Sequence, residues 1–210
     1  MSKRAKTLFE STLSDEVQIN APLTRSQAEN LFNYFKNCSI FRWKDANNDC
    51  EDRANAICML LEEWKIPSLK GWVFSGEFLK KENGTLTNCW KYHVGALLPV
   101  KEDNSIQYYI VDPATSNKLE TVEDWAHMVT DNEYSYHIIK SGNYYIFKDD
   151  KIQKDNWHQR DKQNYKWTIQ GLAGINGLSA TAKAKLRFNK TMLKKTEAMF
   201  KELMKNKPVF

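Results

Sequence analysis

The sequence predicts an α+β fold, and three observations carry that expectation. An apolar stripe repeats at helical spacing through Ala54, Ile57, Cys58, Leu61 and Trp64. Two runs rich in aromatic and β-branched residues, 90–100 and 106–111, are joined by the polar turn Asp103-Asn104-Ser105 and read as an antiparallel hairpin. A basic helical pattern closes the chain. The 210 residues suffice for one domain of ordinary size, or a domain with an extension. A hydrophobic fraction of 41% with only 8 Gly and 5 Pro excludes collagenous and disordered chains. The longest uncharged apolar run, from Val94 to Val100, is far short of the ~20 residues a membrane-spanning helix needs.

Residues 1–21 form an N-terminal segment in which Glu10, Asp15 and Glu16 interrupt Leu8, Phe9, Leu13 and Val17, leaving no apolar signal core. The expectation is therefore a cytoplasmic protein, or one delivered by a specialised secretion system. From Pro22 a helix starts, capped by Thr24 or Ser26, with Leu31, Phe32 and Phe35 at helical spacing, and ends near Asn37. Asn47-Asn48-Asp49 makes a loop that delivers the chain to a helix beginning at about Cys50 and stopping before Pro67. Gly71 to Phe74 reads as a short strand, Glu82-Asn83-Gly84 as a turn, and the hairpin follows, leaving Asp112 at a strand end before Pro113. Thr121 caps a short helix to Val129, and 143–148 reads as a further strand. The catalytic domain is expected to span 22–150.

Beyond Asp150 the composition shifts. Residues 151–210 hold fourteen Lys and Arg against four Asp and Glu, while the rest of the chain is net acidic. His158 to Lys166 is polar, Gly171 to Leu178 reads as a glycine-spaced apolar loop, and a helix runs from a Ser179 cap to about Lys205. Leu186, Leu193, Phe200 and Leu203 share one face of that helix and lysines cover the others. The stripe docks on the domain or meets an acidic partner or anionic membrane surface; a binding module acting through this helix is the non-enzymatic reading. No zinc, helix-turn-helix or single-strand-binding motif points to specific nucleic-acid recognition.

Cysteine carries the candidate chemistry. Four cysteines, Cys38, Cys50, Cys58 and Cys89, form neither a disulfide framework nor a CxxC pair, so no metal is expected. There is no phosphate-binding loop and no cofactor motif. Cys50 falls at the first turn of a helix, where unpaired backbone N–H groups and the helix dipole lower a thiol pKa and can stabilise an oxyanion. The polar context Asp49-Cys50-Glu51-Asp52-Arg53 argues against apolar burial, whereas Cys58, two turns on, reads as core. Thiolate chemistry needs an imidazole and a group to orient it; His93 on one hairpin strand and Asp112 at the end of the other are the natural pair. By spacing alone, His93 is equally a structural histidine and Asp112 a turn starter. His127, His137 and His158 have no neighbouring cysteine. Trp90, Tyr92 and Trp43 are candidate substrate-binding residues.

Three blocks, Asp49-Cys50-Glu51-Asp52-Arg53-Ala54, Trp90-Lys91-Tyr92-His93-Val94-Gly95 and Val111-Asp112-Pro113, resemble in order the catalytic blocks of bacterial protein-glutaminases. The resemblance runs from about Leu23 to Asp150. It implies a papain- and transglutaminase-like α+β fold and an enzyme that deamidates glutamine side chains in proteins or peptides without a cofactor. It carries Cys50 over as nucleophile, His93 as general base and acid, and Asp112 as the group orienting the imidazole; the lack of a secretion signal in the sequence raises the expectation of a bacterial effector or toxin, or of an enzyme acting in its own cytosol. Gly95 stands where the family often has alanine, and the signal, pro segment and disulfides of secreted members find no match here. The enzyme alternatives are a transglutaminase-like acyltransferase and a cysteine peptidase, which form the same acyl-enzyme.

Overall fold

A computed structural model describes residues 21–44, 50–75, 79, 90–142, 147–148, 151–152, 160–175 and 186–209. Helix α1 (Arg25–Asn37) opens with a reciprocal cap: Gln27 N donates to Thr24 Oγ1 at 3.2 Å, and Thr24 N donates to Gln27 Oε1 at 3.0 Å. It buries Ala28, Leu31, Phe32 and Phe35, the stripe its spacing predicts. A single 3-10 turn (Ser39–Phe41) follows, closed by Arg42 in the left-handed region at φ 50°.

Helix α2 (Cys50–Glu63) is the centre of the molecule, buried at every position from Asp52 to Leu61. Ala56, Ile57, Met59, Leu60 and Leu61 face the main core with Phe32, Phe35, Ala96, Leu98 and Val100. Lys65 at φ 57° turns the chain out of the helix, and Ile66 N caps back onto Leu61 O at 2.8 Å. Strands β1 (Leu69–Phe74), β2 (Tyr92–Glu102), β3 (Ser105–Val111), β4 (Glu120–Thr121) and β5 (Ser135–Lys140) form an antiparallel sheet in the order β4-β3-β2-β1-β5. The β2–β3 hairpin stands as its sequence predicts. Alternation divides its residues: Ala96, Leu98 and Val100 face α1 and α2, whereas Leu97 and Ile110 meet Val122, Trp125 and Ala126 of α3 (Val122–Val129). Thr121 caps α3 as predicted, accepting from Asp124 N at 3.1 Å.

Strands β6 (Phe147–Lys148) and β7 (Lys151–Ile152) pair with each other; β6 falls in the expected 143–148 strand. Helix α4 (Lys162–Leu172) forms where composition suggests a polar stretch and takes in the first two residues of the expected glycine loop, of which 176–178 lie outside the described residues. Ile169 and Leu172 enter the main core and Tyr165 packs against it, an i, i+4, i+7 set that outweighs the glycine at its end. Gly171 is needed there because α4 presses on α2: a Cβ would lie 1.9 Å from Asp52 Oδ2. Gly174 at φ 66° ends the helix, with Ile175 N donating to Gln170 O at 2.9 Å.

Helix α5 (Leu186–Lys205) docks its apolar side on this assembly. Phe200 is fully buried, Leu193, Leu203 and Met204 pack on the core, and Trp64 Nε1 donates to Leu203 O at 3.2 Å. Lys190, Lys194, Lys195 and Lys201 are exposed. Arg160 ties the approach to α4 onto α2, pairing with Glu62 at 2.8 Å and Glu63 at 3.3 Å. Among the described residues no helix is long and apolar enough to cross a membrane. Most of the 1–21 segment, the 47–49 and 82–84 turns, the Ser179 cap, Cys89 and His158 lie outside the described residues.

Candidate active site

The β2–β3 register sets Ala96 opposite Val111, so one step further Asp112 faces Gly95 and lies diagonal to His93 on the same side of the sheet. The diagonal is bridged: His93 Nε2 and Asp112 Oδ2 are 2.7 Å apart, with both residues buried. Gly95 keeps this corner compact, since a Cβ there would come within 2.8 Å of Ile110 Cδ1 and 3.4 Å of Asp112 Cβ.

Asp112 is held from several sides. Its Oδ2 accepts from Trp125 Nε1 at 3.2 Å and from the Thr115 hydroxyl, and its backbone carbonyl accepts from Thr115 N and Ser116 N, both at 3.1 Å. Burial works to raise its pKa, yet His93, the Thr115 hydrogen bond and the Arg53 charge together hold it below the ordinary carboxylate value. The His93 ring is stacked on Trp90, centroids 5.0 Å apart, and packs on Trp125 at 5.6 Å. A carboxylate at Nε2 fixes the proton of the neutral ring there and leaves Nδ1 as acceptor. Nδ1 is buried and has no hydrogen-bond partner among the described residues.

Cys50 is the first residue of α2, as its loop-then-stripe context predicts, but it is buried, at 8% exposure, against Ala54, Trp72, Val94 and Ile139. The polar flanks that argue for exposure do not prevent this, because Asp52 and Arg53 are themselves buried and the thiol packs on Val94 of β2. The expected lowering of its pKa is likewise outweighed. Burial and the neighbouring Glu51 carboxylate push the thiol well above its ordinary value, and the Arg53 charge and the Val94 backbone hydrogen bond pull the other way. The thiol donates to Glu51 Oε2 at 3.3 Å, and Glu51 Oε1 accepts from Tyr92 OH at 3.2 Å.

The structure thus brings His93 and Asp112 into direct contact and sets Cys50 against Val94, the residue that follows His93. Tyr92 stands at the site through Glu51 and packs on Trp72 at 5.2 Å. Trp90 is buried on the imidazole rather than open to solvent. Trp43 anchors its indole N–H on Phe35 O at 2.9 Å and carries the Arg53 guanidinium 5.7 Å from its ring centroid. Cys58 is core, as predicted. His127 packs edge-on against Tyr134 and His137 stacks on Phe74, both away from the pair. The places of Glu51, Thr115 and Trp125 at the site escape the sequence reading, whereas Arg53 stands in the block that carries the family resemblance; the α3 stripe that turns Trp125 inward offered a further signal. Among the described residues no group of three or more His, Cys, Asp and Glu is placed to hold a metal ion.

A helix opening on a buried cysteine, laid on an antiparallel sheet whose adjacent strands carry a His–Asp pair, defines an α+β protein. Residues 28–129, just under half of the chain, match the family model described as Glutaminase. A crystal structure of protein-glutaminase superposes with a TM-score of 0.58 at 22% identity, covering 77% of this chain and 92% of the other. The NMR structure of protein-glutaminase from Chryseobacterium proteolyticum gives 0.52 at 21% identity, covering 64% and 81%. A crystal structure of pro-protein-glutaminase gives 0.52 at 22%, covering 68% and 57%. At this identity the three structures establish the fold. No curated protein sequence matches the chain.

Proposed function

We propose that this protein is a cysteine-dependent protein glutamine deamidase, with Cys50 as nucleophile, His93 as general base and acid, and Asp112 as the residue that orients the imidazole. The glutaminase family match supports the reaction class. The observation that carries the residue roles is the buried Nε2–Oδ2 pair at 2.7 Å with Nδ1 left unpartnered, on the strand that Cys50 packs against. Asp112 takes one ring nitrogen and thereby presents the other as a base.

The Cys50 proton passes to Nδ1 as the sulfur attacks the side-chain carboxamide carbon of a substrate glutamine. The oxyanion forms at the α2 N-terminus, where backbone N–H groups lack helical partners. The imidazolium returns the proton to nitrogen, the C–N bond breaks and ammonia leaves a thioester. Water, deprotonated by His93, attacks the thioester carbon, and glutamate and the thiol are released. Trp90 and Trp125 keep the ring in plane for both transfers, and Tyr92 stands beside the thiol through Glu51.

Incubating the protein and its Cys50→Ala variant with glutamine-rich proteins tests this through ammonia release and intact substrate mass. The expected result is a Cys50-dependent gain of about one mass unit per modified glutamine without cleavage. Cross-linked substrate would indicate acyl transfer to amines, and clipped substrate a peptidase.

A further inference from the structure

Among the described residues, Glu51 is the charged group in hydrogen-bond contact with the Cys50 thiol, and it has a second ligand in Tyr92 OH. Those two donors occupy one site on each carboxylate oxygen, and a carboxylate offers about four. Half of its accepting capacity is therefore open beside the sulfur. His93 Nδ1, on the residue before the Val94 that packs on Cys50, is a buried acceptor with no donor among the described residues. The thiol proton lies with Glu51 rather than with the imidazole, so a substrate that starts the reaction must change this hydrogen bond.

A primary carboxamide is built to do so. With its carbonyl carbon on Sγ and its oxygen toward the α2 N-terminus, its –NH2 brings two donors to the Glu51 carboxylate, an acceptor with open sites beside the sulfur. A carboxylic acid product in the same place has no N–H at pH 7 and carries the same charge as Glu51. We propose that the Glu51 carboxylate, held between Cys50 Sγ and Tyr92 OH, accepts an N–H of the substrate carboxamide and makes the nucleophile selective for amide over acid. The proposal rests on the deamidase reading for its natural substrate. As the amide N–H takes over Oε2, the thiol loses its acceptor and its proton turns to Nδ1. Once the amide has become an acid, repulsion from Glu51 expels the product and disfavours the reverse attack.

The test uses two small alkylating agents that differ only in this feature, iodoacetamide and iodoacetate, each forming an S–C bond with loss of iodide. Rates at Cys50 and at the half-buried Cys38 are read by peptide mass mapping in the wild-type protein and in Glu51→Gln. The amide-to-acid rate ratio at Cys50 should exceed that at Cys38 by about tenfold, and Glu51→Gln should bring it to the Cys38 value. Any change in thiol acidity acts on both reagents and cancels in the ratio. Glu51→Asp, which keeps the charge, should retain most of the preference. Equal ratios at the two cysteines, a preference untouched in Glu51→Gln, or a Cys50 that reacts with neither reagent would each overturn the proposal. Steady-state assays add a second readout: in Glu51→Gln, KM for a glutamine peptide rises and the glutamate product peptide inhibits more strongly. Absence of ammonia release from the wild type would refute the deamidase reading, while the alkylation ratio would still decide the role of Glu51.

Discussion

The His93–Asp112 corner and the Cys50–Glu51 edge are built from the same few strands and helices, yet they are finished to different degrees. At the corner, Asp112 Oδ2 takes three donors and the ring is wedged between two tryptophans, with both residues buried. At the edge, the thiol donates at 3.3 Å to a half-buried neighbour that is itself shared with Tyr92, beside the Val94 backbone hydrogen bond. In the proposed mechanism the orienting half of the site is set before substrate arrives, and the nucleophilic half is exchanged by it. Fixed dipoles at the corner cost no reorganisation during reaction, whereas the thiol must change partners.

Substitutions should separate the two halves by size of effect. Cys50→Ala removes the bond-forming atom, and kcat should fall by about 10⁴-fold or more, read as ammonia release. Asp112→Asn leaves the shape of the corner but lets the ring take the wrong tautomer; kcat should fall by about 10³–10⁴-fold with KM little changed. Trp125→Phe removes one of three donors to Asp112 and should cost about tenfold in kcat; an unchanged kcat would show the corner to be less interdependent than drawn. Gly95→Ala probes packing at the corner. Its Cβ meets the flexible end of Ile110, so a loss of about 1–3 kcal/mol in urea unfolding is expected, most of it recovered by adding Ile110→Val.

The α2 flank below the nucleophile supplies a pH signature. Lys70 is fully buried, its Nζ 2.5 Å from Asn55 Oδ1, and burial lowers its pKa to about 8. A base whose folded pKa is depressed is penalised when charged, so the penalty is complete below pH 8 and fades as pH rises toward its unfolded value near 10.5. The Lys70 contribution to unfolding free energy should therefore rise between pH 8 and 10, by up to roughly 3 kcal/mol, and Lys70→Met should abolish that rise. Urea unfolding of both proteins at the two pH values checks it.

Much of this was legible in the chain. Thr24 and Thr121 announced their helices by capping chemistry, and the turn at 103–105 fixed the hairpin whose register joins His93 to Asp112. The Cys50 position was readable because a turn-rich loop runs into an apolar stripe there. Its burial was not, because flanking charges report on the residues beside a helix start and not on what the helix end faces. Helix α4 was hidden by Gly171, present for contact with Asp52 rather than for a loop. Strand β5 was hidden because its adjacent Ile138 and Ile139 break the alternation that marks a strand. Glu51, Thr115 and Trp125 act across gaps that no local pattern spans, so their roles appear only once β2, α2 and α3 are assembled.

Mass spectrometry of the enzyme itself, acid-quenched during turnover of a glutamine peptide, tests the central claim most directly. The account predicts an adduct on Cys50 equal to the peptide mass less about 17 Da, the ammonia lost on forming the thioester, which disappears in Cys50→Ala and accumulates far more slowly in Asp112→Asn. An adduct on another residue, or ammonia release that persists in Cys50→Ala, would contradict it.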